Sequence, residues 1–112
     1  MDKFTVHSNM GGEAAIVTAG GTIDSDTAPQ LDDELTRVVA EKNKIVIDLS
    51  GIEYMSSAGI RAIVKASQTA ERSGGAVKLA SVPDEVQSVL YTVGLNQKVG
   101  SFASVDDAVA SF

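Results

Sequence analysis

Two adjacent hydroxyls, Ser56 and Ser57, follow an apolar run and precede Ala58, Gly59 and Ile60, where a helix should open. A serine placed there can do two kinds of chemistry. Its hydroxyl can accept a hydrogen bond from an unpaired amide of the first turn, a capping role worth roughly 1 kcal/mol. It can also carry a phosphate, because the free amides and the positive end of the helix dipole tolerate an anion without unfolding the domain. The added charge of about −1.5 to −2 would then act on whatever docks over that surface. A capping serine at a helix start is also exposed, so the two roles are compatible.

Other chemistry has less to draw on. The one histidine, His7, lies far along the chain from both serines, and a serine-histidine-acid triad needs a matched base and orienting acid beside the nucleophile. Gly11-Gly12 and Gly20-Gly21 fit neither a phosphate-cradling loop, which needs a following lysine and hydroxyl, nor a dinucleotide glycine pattern. Most of the carboxylates, from Asp26, Asp32, Asp33 and Glu34 to Asp84, Glu85, Asp106 and Asp107, fall at helix starts or on solvent faces, where solvated charge explains them. The chain has no cysteine, which excludes disulfides and thiolate metal sites, and no cofactor or metal is expected. Its net charge of −6, from 15 acidic and 9 basic residues with no basic run, argues against nucleic acid as a partner. No apolar run is long enough to cross a bilayer and no signal-like N-terminus is present, so the expectation is a cytoplasmic protein without direct membrane insertion.

The elements that must position the serines follow from periodicity. Residues 4–8 alternate apolar and polar, and residues 14–19 follow a Gly11-Gly12 turn, which predicts an early hairpin. Thr27 and Gln30 have capping-box spacing, Pro29 suits a first turn, and Leu31, Leu35, Val38 and Val39 recur at helical spacing. Ile45 to Leu49 is β-branched and almost continuously apolar, as a central strand covered on both faces should be. A second helix carries Ile60, Ile63, Val64 and Ser67 and stops at Ser73-Gly74-Gly75, and Val77, Leu79 and Val82 belong to a further strand. Pro83-Asp84-Glu85 opens a third helix with Val86, Val89, Leu90 and Val93 inward and Gly94 at its end. After a short segment at 99–102, Ser104 and Asp107 cap a last helix with Val105, Ala108, Val109 and Phe112 facing inward. The order β-β-α-β-α-β-α-β-α calls for one mostly parallel sheet with an antiparallel edge, in one compact unit spanning 1–112.

At this level of detail the chain resembles the STAS domain, and within it the small bacterial anti-sigma factor antagonists. The resemblance rests on Gly21-Thr22-Ile23-Asp24 with Thr27-Ala28-Pro29, on residues 45–50, and on Tyr54-Met55-Ser56-Ser57-Ala58-Gly59-Ile60. It implies an α/β STAS fold, a single mixed and mostly parallel sheet of about five strands with about four helices, and a binding protein rather than an enzyme. By the same resemblance the partner is an anti-sigma factor that is also a serine kinase of the histidine-kinase-like ATPase type. Unphosphorylated antagonist binds it, phosphorylation at the start of the second helix abolishes binding, and a serine phosphatase resets the switch. By position the acceptor is Ser57, with Ser56 second, and Asp24, Ser56, Ala58, Gly59, Ile60 and Arg61 are expected on the partner surface. Arg61 stands one helical turn beyond Ser57, where it reads first as a solvated surface arginine and second as a group within approach of a phosphate there. The chain departs from many antagonists in carrying Ser56, not aspartate, before the acceptor, and Ala58, not serine or threonine, after it. That departure leaves open a constitutive STAS subunit of a membrane transport or signalling assembly. A serine hydrolase, third in order, would need His7 beside Ser56 or Ser57.

Overall fold

A computed structural model describes residues 4–95 and 98–112. The elements run β1 (Thr5–Asn9), β2 (Ala15–Ile23), α1 (Ala28–Glu41), β3 (Lys44–Met55), α2 (Ser57–Arg72), β4 (Ala76–Ala80), α3 (Asp84–Thr92), β5 (Ser101–Phe102) and α4 (Val105–Ala110). The five strands form one sheet in the order β1-β2-β3-β4-β5. β1 pairs antiparallel with β2, and every other neighbouring pair is parallel. This is the α/β arrangement expected, with β3 in the middle.

The continuous hydrophobicity of β3 has a direct cause. Ile45, Ile47 and Leu49 face a large core shared with Leu31, Leu35 and Val38 of α1, Ile63 and Ala66 of α2, and Val86 and Leu90 of α3. Val46, on the opposite face, packs with Ala14, Ala80 and Ala108 in a small second cluster under α4. Helices therefore cover both faces of the sheet, and β3 has no side facing water along that stretch. Burying a Val, Leu or Ile contributes about 1.5–3 kcal/mol, so this strand and its partners carry most of the stability.

Both strands that lead to the serines are longer than hydrophobicity alone suggests. β2 continues to Ile23 and β3 to Met55. Their register slips twice, between Thr18 and Gly20 and between Gly21 and Thr22, so that four steps along β2 match six along β3. Gly21 takes φ +89°, a backbone region that side chains strongly disfavour, and this is the use of a glycine pair that fits no nucleotide loop.

Three inward expectations are corrected. Val93 is 53% exposed because α3 stops at Thr92. Val109 and Phe112 are each 38% exposed, since α4 has only six residues and buries Ala108 alone. The tail is nevertheless fastened. The Phe112 ring lies 4.7 Å from Lys78 Nζ, which also donates to the Ser111 carbonyl at 3.2 Å. Ser104 does cap α4, accepting from the Asp107 amide at 3.1 Å. Val82, in turn, lies outside β4, which ends at Ala80.

Candidate functional site

The site forms where β2 and β3 run out together. Ile23 pairs with Met55, and the Ser56 amide donates to the Ile23 carbonyl at 2.8 Å as the last rung of the ladder. That bond sets the turn after β2, beginning at Asp24, directly beside the start of α2. Ligand sites in parallel sheets gather at this C-terminal edge.

The turn holds itself closed through Asp24. Its Oδ1 accepts from the Asp26 amide at 2.9 Å and the Thr27 amide at 3.0 Å. The Thr27 hydroxyl donates to the Thr22 carbonyl at 2.8 Å and accepts from the Asp24 amide at 2.9 Å. Thr27 is thus committed to the turn and makes no side-chain cap, which corrects the Thr27–Gln30 capping box. The amides of Thr27 and Asp26 hold the Asp24 carboxyl below its ordinary value of 3.8. A depressed acid stabilises the fold above its unfolded pKa and loses that contribution as pH falls through the folded value. In a carbon-detected carboxyl titration Asp24 is expected to titrate below 3.8. Asp24→Asn, which keeps the acceptor and removes the charge, should weaken the acid dependence of stability below that pH, and an unaltered acid limb would rule out this contribution.

Ser56 and Ser57 have different surroundings. Ser56 occupies the N-cap position with extended backbone, φ −87° and ψ 172°, yet its hydroxyl makes no cap bond. Its Oγ is buried and has no hydrogen-bond partner among the described residues. Only the Ser56 carbonyl serves the first turn, accepting from the Gly59 and Ile60 amides at 3.1 and 3.3 Å. The expected serine cap is therefore absent: the backbone of Ser56 is extended as an N-cap's is, but its hydroxyl is enclosed and makes no bond to the first-turn amides. Ser57 is the first helical residue and is exposed.

Of the other residues expected at a partner surface, Asp24 and Ala58 are half-buried and Arg61 is exposed. Ile60 is 6% accessible and belongs to the core. Gly59 is buried too: a Cβ there would sit 2.6 Å from Ile23 Cγ2 and 3.1 Å from Met55 Cγ. These two residues seat the helix against the strand ends and leave Ser57 and Arg61 outermost. Helical spacing with Ile63 already pointed to the core role of Ile60.

A groove of about 370 Å³ runs from this point between α1 and α2, lined among others by Ser25, Ala28, Asp32, Ala58, Arg61 and Lys65. Lys65 is paired with Asp32 at 3.2 Å. Sequence reasoning missed Ser25, Asp32 and Lys65, whose meeting depends on how two helices pack. It also missed Tyr54, 56% exposed at the tip of β3 and paired in register with Thr22. No alternation past Leu49 signals it, because the register with β2 slips there.

His7 is not part of this site. It stands on the edge strand opposite Thr18, whereas Ser57 follows Met55, which lies opposite Ile23. Thr18 and Ile23 are five residues apart, roughly 16 Å along a strand. Two strand spacings across the sheet also separate β1 from β3, so no triad geometry exists.

Comparison with known proteins agrees with this geometry. The STAS domain profile matches residues 5–108. The anti-sigma-F factor antagonist RsfB of Mycobacterium tuberculosis is 30% identical over 111 residues, covering 96% of this chain and 88% of RsfB. The crystal structure of an anti-sigma factor antagonist from Mycobacterium paratuberculosis superposes with a TM-score of 0.89 at 24% identity, covering 97% of this chain and 93% of that one. Unphosphorylated SpoIIAA of Bacillus superposes with a TM-score of 0.81 at 16% identity over 94% and 93% of the two chains, a likeness of fold.

Proposed function

Because the chain belongs to the STAS domain family, we propose that its 112 residues act as one domain, an anti-sigma factor antagonist switched by phosphorylation of Ser57. Unmodified protein binds an anti-sigma factor that is also a serine kinase of the histidine-kinase-like ATPase type and so frees a sigma factor. Transfer of phosphate to Ser57 releases the anti-sigma factor, and a serine phosphatase restores the first state. The kinase supplies the chemistry and this chain supplies the hydroxyl.

The observation that carries the reading is the contrast between the two serines. Ser57 is exposed at the first position of a 16-residue helix, while the Ser56 Oγ is enclosed. A kinase can reach one hydroxyl and not the other without opening the fold. The first turn of α2 holds no acidic residue, so a phosphate there meets a positive helix end with no like charge in that turn.

Intact-mass analysis after incubation with the cognate kinase and ATP tests this. One phosphate is expected on the wild type and on Ser56→Ala, and none on Ser57→Ala. Unchanged addition to Ser57→Ala would remove the assignment. The alternative is a constitutive STAS subunit of a membrane transport or signalling assembly, favoured by Ser56 in place of an aspartate. In that case the wild type takes no phosphate and Ser57→Ala binds its partner as the wild type does.

A further inference from the structure

We infer that Arg61 is the internal receptor for the phosphate on Ser57, so that modification withdraws a cation from the α1–α2 groove as well as adding negative charge. This rests on the reading of Ser57 as acceptor. Arg61 is exposed, and among the described residues it makes no hydrogen bond or ion pair. On a helix its neighbours are the residues three and four positions away: Ser57, Ala58, Val64 and Lys65. None is acidic, and Lys65 is a like charge already engaged with Asp32. Arg61 therefore waits beside a second cation with no anion of its own.

A phosphate on Ser57 fills that vacancy from the favourable side. Side chains at this spacing have Cβ atoms about 5–6 Å apart, well within the span of an arginine, and the anion lies N-terminal to the cation as the helix dipole prefers. The guanidinium fork matches phosphate oxygens in bidentate fashion, which an ammonium does not. Asp24, held ionised by its turn amides, adds negative charge to the turn beside the helix start. Unmodified protein offers the guanidinium, which lines the groove, to an acidic group of a partner, and the phosphorylated protein does not.

Phosphoserine placed at position 57 during translation, through a recoded codon, tests this without any kinase. The phosphate's second ionisation is followed by phosphorus NMR in three proteins: Arg61 intact, Arg61→Gln and Arg61→Lys. Loss of the guanidinium should raise that pKa by about half a unit in Arg61→Gln, with Arg61→Lys between the two. Asp24 and Lys65 are the same in all three and cancel. Coincident titrations of the intact and Arg61→Gln proteins would overturn the inference. Because Arg61 is exposed, neither variant should disturb the fold, and superimposable amide spectra of the unphosphorylated forms check this. A kinase that leaves Ser57 unmodified would refute the proposed function and not this result, so the two failures are separable.

Discussion

Ser57→Asp is expected to lower affinity for the cognate anti-sigma factor by about 30- to 150-fold while leaving thermal stability unchanged or slightly raised. The loss corresponds to about 2–3 kcal/mol, the scale of an unpaired or like charge forced into an interface. Its origin is positional. Ser57 is exposed at the helix start, next to a turn whose Asp24 is already held ionised, so a second carboxylate concentrates negative charge where a partner must dock. The fold should tolerate the change because an acid at a helix N-terminus contributes about 0.3–1 kcal/mol in its favour. Calorimetric titration against the anti-sigma factor measures the first quantity, and thermal melting the second. Equal affinities for Ser57→Asp and wild type would contradict a charge switch at this position. A parallel loss of stability would show that any lost binding came from unfolding.

Gly75→Ala is expected to be strongly destabilising, costing about 3 kcal/mol. For a chain of this size that is a fall in Tm of roughly 10 °C. Between α2 and β4 the chain turns so tightly that a Cβ on Gly75 would lie 1.9 Å from the Asn43 carbonyl oxygen. That oxygen cannot retreat, since it accepts from the Ala76 amide at 2.9 Å and so links the end of α1 to the start of β4. Gly74 is the internal control. It takes φ +83° with nothing near its missing Cβ, so Gly74→Ala pays only the left-handed conformation, about 1–2 kcal/mol. Melting curves should rank Gly75→Ala well below Gly74→Ala. Equal losses would mean that the turn relaxes and the close approach to Asn43 carries no energy.

Element order was legible because it depends on local periodicity. A strand apolar on both faces, a helix opened by Pro83, Asp84 and Glu85, and a helix stopped by Gly74 and Gly75 each announce themselves within a few residues. Boundaries were less legible. β3 continues through Ser50 and Gly51 to Met55 because β2 lies alongside and supplies hydrogen-bond partners, and no local pattern reports that neighbour. Inward faces failed at Val93, Val109 and Phe112 for a related reason. Apolar character says a side chain gains by burial, and the end of a short helix decides whether anything is there to bury it.

Capping shows the same division at finer scale. Ser104 and Asp107 form the expected cap, since nothing else competes for the Ser104 hydroxyl. Thr27 and Ser56 have equally suitable side chains and do not cap. Thr27 is drawn into the Asp24 turn by Thr22 of β2, whereas the Ser56 hydroxyl is enclosed away from the first-turn amides.

From the amino-acid order alone come the sheet type, the placement of β3 at its centre, and the presence of two hydroxyls at the start of the second helix. These depend on alternation, helical period and turn residues, all read within one element. Only the folded chain distinguishes the two hydroxyls. It encloses the Ser56 hydroxyl and exposes Ser57 where the start of α2 meets the end of β2. It also leaves Arg61 without a partner among the described residues while giving Lys65 its carboxylate from another helix. Burial and ion pairing are relations between elements, and the packing that brings those elements together decides them.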